Sequence, residues 1–124
     1  MSVEMLVDVY GIPELQRKLE QLDENLRVHV EEALASEVSG IQTLAQSLAP
    51  RRTGYLASTV YAERTGEWAF RLSARAGYAR FVEFGTRFMR ARRFLSRALE
   101  LGMPNLVQRL NQAITESIAE AAAT

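Results

Sequence analysis

Apolar residues alternate at the start of the chain. Val3, Met5, Val7 and Val9 fall on one side of a period-two pattern, which predicts a half-buried strand ended by Gly11. Pro13 then stands where a helix opens, because its fixed φ and missing N–H cost nothing in the first turn. From Leu15 the period changes. Leu15, Leu19, Leu22, Leu26, Val30, Leu34, Val38, Ile41, Ala45 and Leu48 recur at steps of three or four. This stripe predicts one continuous helix over about 13–49, stopped by Pro50. A straight helix of that length runs roughly 55 Å, against a radius of gyration of about 14 Å for a chain of this size. It must overhang its own domain and meet another surface, or bend. Ser39-Gly40 is the place for a bend.

Pro50 to Gly54 has the composition of a turn. Leu56–Glu63 and Glu67–Ala74 read as two strands of a hairpin, with Thr65-Gly66 as its turn. Val60 and Ala62 share a face of the first strand, and Ala69 or Phe70 joins Leu72 on the second. Ala76-Gly77 breaks the pattern. Tyr78 to Phe84 reads as a short helix with Tyr78, Phe81 and Val82 inward, or as a strand. Gly85-Thr86 ends it. Phe94 to Leu101 is helical, Gly102 interrupts, and Pro104 restarts a helix carried by Leu106, Val107, Leu110, Ile114 and Ile118. The alanine-rich end from Ala119 is expected to fray. The pattern is α+β: a small antiparallel sheet packed by a long N-terminal helix and C-terminal helices, in one domain spanning 1–124.

Composition narrows the chemistry. The chain has 124 residues, 48% of them hydrophobic and 24% charged, which argues for a folded protein with a modest core. No apolar run approaches the roughly 20 residues that span a membrane, and the first residues have no secretion signal. There is no cysteine and one histidine, His29, so thiolate or His-rich metal sites are excluded. His29 lies within the predicted long helix without a serine elbow, and the seven glycines are too scattered for a phosphate loop. Neither a catalytic centre nor a cofactor is expected.

Charge adds more. The formal net charge is zero, but residues 1–50 carry nine acids against three bases, and residues 51–97 carry eleven arginines against three acids. Fourteen of the fifteen bases are arginine, whose planar, weakly hydrated head suits interfaces and phosphates. A solvated basic face beside a solvated acidic one is the plainest account. Three others use the asymmetry. The acidic helix covers the basic strands of its own fold. Or the arginines between Arg87 and Arg97, interleaved with Phe88, Met89 and Phe94, grip nucleic acid, which the acidic helix opposes. Or copies join head to tail, a contact that closes into a ring when the rotation allows. Glu83, set among aromatics in an arginine-rich stretch, reads as one half of an ion pair within the fold or between subunits.

Three motifs occur in order: Ala49-Pro50-x-x-Thr53-Gly54-x-Leu56, then Tyr78-Ala79-x-x-Val82-Glu83-Phe84-Gly85-Thr86, then Met89-x-Ala91-Arg92-x-Phe94-Leu95-x-x-Ala98-Leu99. The order resembles the small head–tail joining and tail-completion proteins of long-tailed bacteriophages, a minor tail component family. The family often has proline near positions 93 and 97, where this chain has Arg93 and Arg97. The resemblance implies an α+β fold and a ring, commonly a hexamer, between the tail tube and the head connector, with DNA passing through its centre. It implies a structural role in the virion, assembled in the host cytoplasm, without a small-molecule substrate or a membrane. Pro50, Thr53, Gly54, Tyr78, Gly85, Thr86, Phe94 and Leu95 are expected to serve the fold. Glu83, Arg87, Arg90, Arg92 and Arg93 are the expected subunit or lumen contacts. The alternative is a nucleic-acid-binding accessory protein using the Arg87–Arg97 segment.

Overall fold

The computed structural model describes residues 2–51 and 54–123, Ala123 by its backbone alone. Strand β1 (Val3–Asp8) leads through a 3-10 turn (Val9–Gly11) into α1 (Pro13–Glu20) and α2 (Glu24–Leu48). A single helical turn, α3 (Tyr55–Ser58), precedes β2 (Val60–Gly66) and β3 (Ala69–Ala74). The short helix α4 (Ala79–Phe84) and the 30-residue α5 (Phe94–Ala123) complete the chain. The sheet is antiparallel in the order β1-β3-β2, so the fold is α+β.

Register explains the alternation. Val3, Met5 and Val7 lie opposite Ala74, Leu72 and Phe70, which in turn face Val60, Ala62 and Arg64. The inner face thus gathers the apolar positions; α2 lies across it and α5 packs along α2. The free edge of β2 is closed by two glutamines of α2. The Ala62 N–H donates to Gln42 Oε1 at 2.7 Å, and Gln46 Nε2 donates to the Val60 carbonyl at 3.2 Å. Satisfying edge groups in this way blocks strand addition at that side.

The continuous helix expected over 13–49 is two helices. Asp23 leaves the helical region (φ −80°, ψ 174°) and its carboxylate accepts the Leu26 N–H at 2.9 Å, a standard N-cap. The apolar stripe hides this corner because Leu19, Leu22 and Leu26 all still face the core. The rod of α2 is therefore about 37 Å long, and the overhang of a longer helix does not arise. Helical structure is unbroken at Ser39-Gly40. Gly40 is exposed and α2 continues through it.

Other boundaries move for local reasons. Leu56 belongs to α3, not to a strand, and β2 starts at Val60. The hairpin turns at Glu67-Trp68, with a bulge between Arg64 and Gly66 that absorbs Thr65. Trp68 is tucked into the core, and its carbonyl accepts the Val9 N–H at 2.8 Å. The interruption expected at Gly102 is absent, since α5 runs through both Gly102 and Pro104. Gly102 is where α5 crosses α2. A Cβ there would lie 2.6 Å from Ile41 Cγ1, so the missing side chain sets the helix separation. Pro104 is exposed, which leaves the unpaired Glu100 carbonyl to water. The two helices run antiparallel, with residues 29–36 beside 109–120 and residues 37–44 beside 101–105.

Two glycine substitutions separate these roles. Gly102→Val overpacks the crossing and is expected to cost about 1–3 kcal/mol. Gly40→Ala, in open space mid-helix, is expected to stabilise by about 0.5–1 kcal/mol. Urea midpoints measure both; a destabilising Gly40→Ala would restore the hinge.

Candidate functional site

Helix α4 turns Ala79 and Glu83 inward, both fully buried, and leaves Tyr78, Phe81 and Phe84 exposed. Of the three residues expected to face the core, Tyr78 and Phe81 turn outward, while Val82 is half-buried against it. The cause is Glu83. Its Oε1 accepts the Leu95 N–H at 2.7 Å, and its Oε2 accepts the Ser96 N–H at 3.3 Å and the Ser96 hydroxyl. These are N-terminal donors of α5. The first helical bond runs from the Arg97 N–H to the Arg93 carbonyl, which makes Arg93 the cap position. An arginine side chain has no acceptor, so Glu83 supplies the cap from another helix, its charge at the favourable end of the dipole. Expected at a subunit contact, Glu83 is instead sealed inside the subunit.

The connection between α4 and α5 folds back on itself. The Arg92 N–H donates to the Val82 carbonyl at 2.8 Å and the Arg93 N–H to the Glu83 carbonyl at 3.1 Å. Gly85 sits at φ 78°, where a Cβ would come within 2.7 Å of the Ala91 nitrogen, so only glycine fits. Thr86 and Met89 exchange backbone bonds of 2.8 and 3.3 Å, and the Thr86 hydroxyl accepts the Phe88 N–H at 3.2 Å. The result is a braced tip with Arg87 and Phe88 at its apex; Phe88 is 90% exposed, with the Arg87 guanidinium 5.3 Å from its ring centre. Arg93 adopts φ 44° and uses its N–H. Proline can do neither, which matches the chain's departure from a proline at that position.

The other expected residues fall into place around this tip. Phe94 and Leu95 are fully buried and anchor the start of α5. Pro50 follows the end of α2 and lines a groove of about 740 Å³ with Tyr55, Tyr78, Val82 and Met89. Gly54, at φ 81°, opens α3 on the same groove, where the Tyr55 and Tyr78 rings stand 6.4 Å apart. Thr53 lies outside the described residues. Arg93 pairs with Glu100 at 2.5 Å on the surface. Arg87, Arg90 and Arg92 are exposed, as is Arg80, and none of the four has a carboxylate at ion-pair distance among the described residues. Among the described residues no carboxylate of α2 pairs with a strand arginine, so the expected cover of the basic strands by the acidic helix is not what neutralises them. Arg71 lies between Glu63 and Glu4 on the outer face of the sheet, and Arg27 meets Glu67 at 3.4 Å.

Two tyrosines are perturbed. A hydrogen bond from the Arg75 side chain holds the Tyr61 phenol below its ordinary pKa, and the Glu20 carboxylate that accepts from Tyr10 raises that one. Both are surface contacts away from the tip. His29 is exposed at the opposite end of the α2–α5 pair, in a cleft with Glu32, Glu116 and Glu120. No group of three His, Asp or Glu side chains among the described residues is arranged to hold a metal ion. No helix of the described chain is long and apolar enough to cross a membrane.

The outward aromatics were the residues that pattern-reading missed. The signal was present in the i, i+4 pair Ala79 and Glu83 and in the lack of any side-chain acceptor at position 93. What these features define is a small α+β protein that offers a rigid, arginine-rich aromatic surface. The family model described as "Bacteriophage HK97-gp10, putative tail-component" matches residues 13–85. The chain belongs to this family of bacteriophage tail components. Such a component is part of the virion and works in contact with other tail or head proteins. No curated protein and no solved structure matches the chain.

Glu83→Ala is expected to cost roughly 2–4 kcal/mol, because it strips buried donors of their acceptor and leaves a cavity. Glu83→Gln, which keeps an acceptor oxygen, is expected to cost less than half as much. Equilibrium urea denaturation compares them; equal, small losses would remove the cap role.

Proposed function

We propose that this protein is a structural subunit of the phage neck, forming an oligomeric ring, hexameric as the family resemblance implies, that completes the tail and joins it to the head connector. DNA passes through the lumen without being read. The subunit works by docking, not by catalysis, and its partners are further copies of itself, the tail tube protein and the connector or stopper proteins.

The observation that carries this reading is the set of unmatched arginines on a braced loop. Arg87, Arg90 and Arg92 stand exposed beside Phe88, on a loop whose backbone is bonded into the fold. Arginine and aromatic side chains together are the usual composition of a protein interface. Three unpaired cations on one small surface repel one another unless another molecule supplies the counter-charge. Arg93, already matched to Glu100, contributes less than its neighbours.

Purified protein mixed with isolated tail tubes is expected to cap one tube end as a ring visible by electron microscopy. Arg90→Glu with Arg92→Glu is expected to abolish the capping and leave the melting temperature unchanged, since both side chains are exposed. Bare tube ends with the wild-type protein would reject the reading. Tight DNA binding by single subunits, falling steeply with salt, would replace it with a nucleic-acid-binding role for the Arg87–Arg97 segment.

A further inference from the structure

We infer that the aromatic surface around Phe88 is the docking face for a second copy of the chain, which it meets through the acidic far end of that copy's α2–α5 pair. The inference rests on the ring reading above and names the two surfaces that touch.

The near surface is built for contact. Phe81 and Phe84 lie one helical turn apart on the outer side of α4, 41% and 57% exposed, and Phe88 projects beyond them. Nothing in the fold needs Phe88. It is the most exposed large hydrophobic side chain described, yet its backbone is pinned on both sides by the Thr86–Met89 bonds and by the Thr86 hydroxyl. An aromatic group held in place before binding loses little freedom on burial, which is the property of an interface anchor.

The far end supplies the complement. Because α2 and α5 are antiparallel, the first turns of α2 and the last turns of α5 lie together, at the other end of the subunit from the tip. Glu24, Glu32 and Glu120 are exposed there and have no cation at ion-pair distance among the described residues. Val28 and Ile118, 51% and 53% exposed, give the same end apolar ground for an aromatic ring. The tip arginines and these three carboxylates therefore sit at opposite ends, roughly one α2 length of about 37 Å apart, although Lys18, bonded to Asn111, shares the far end beside Ile118.

That separation decides the mode of pairing. Two tips brought face to face would set Arg87 and Arg90 against their own copies, a like-charge contact that complementary interfaces avoid. Tip to far end matches sign with sign and leaves one of each surface free on every dimer. Such a contact propagates from copy to copy and closes into a ring where the rotation between copies allows.

Sedimentation velocity of the full chain tests this. The wild type is expected to associate at low salt and to dissociate as salt rises. Phe88→Ser is expected to weaken association at least about tenfold. Two charge-reversed proteins, one with Arg87→Glu and Arg90→Glu, the other with Glu32→Arg and Glu120→Arg, are each expected to stay monomeric alone. Mixed, they are expected to associate, because each then carries the complement of the other at both ends. All these side chains are exposed, and unchanged melting temperatures would verify that the variants fold. A wild type that remains monomeric at every concentration, or a mixture that fails to associate, overturns the inference. Tail tubes added to the same samples separate it from the reading beneath it. Rings that ignore tube ends would leave this contact standing and remove the tail-end role. Subunits that are monomeric in solution but bind tube ends through Phe88 would do the reverse, making the tail the occupant.

Discussion

Glu83 is the group around which the second half of the chain is arranged. Its carboxylate, fully buried, holds two backbone N–H groups and a hydroxyl at the start of α5. A buried carboxylate is tolerable only where its acceptor capacity is used, so the position of α4 relative to α5 is fixed by this contact. Two consequences follow. Since Glu83 faces inward, Phe81 and Phe84, on the other side of a six-residue helix, face water. And since α4 ends beside the beginning of α5, the nine residues between them must double back within a few ångströms.

That return path is what makes the loop rigid. Gly85 permits the reversal, the carbonyls of Val82 and Glu83 take the N–H groups of Arg92 and Arg93, and Thr86 pairs with Met89. Loops that carry function work best when a scaffold positions them. Here the scaffold is the antiparallel pair α2–α5, locked where Ile41 fills the space left by Gly102. Membership in a tail-component family gives the arrangement a context in which several protein surfaces meet.

Much of this was legible in the residues. The period-two strand at Val3–Asp8, the apolar stripe of α2, the stop at Pro50 and the core role of Phe94 and Leu95 all emerged from spacing. The family came from a resemblance carried by three ordered motifs, and the family model that matches residues 13–85 agrees with it. The misreadings have a common cause: side chains that act across elements. Asp23 caps a helix inside an unbroken apolar stripe, and periodicity is blind to it. Ile41 closes on Gly102 from a helix sixty residues earlier, so the glycine looked like a break. Glu83 looked like a surface charge because its three donors are more than ten residues away. In the case of α4, aromatic residues suggested the buried face, but the buried carboxylate determined the orientation.

The central claim is that the segment between α4 and α5 is a fixed platform, held by Glu83, and not a flexible arginine-rich linker. Amide hydrogen exchange followed by NMR reads this residue by residue. The account predicts that the amides of Arg92, Arg93, Leu95 and Ser96 exchange slowly in the wild type, close to the rate set by global unfolding, and that Glu83→Gln speeds all four while leaving the amides of β3 protected. Exchange of those four amides at the rate of an unstructured loop, in the wild type and the variant alike, would contradict it.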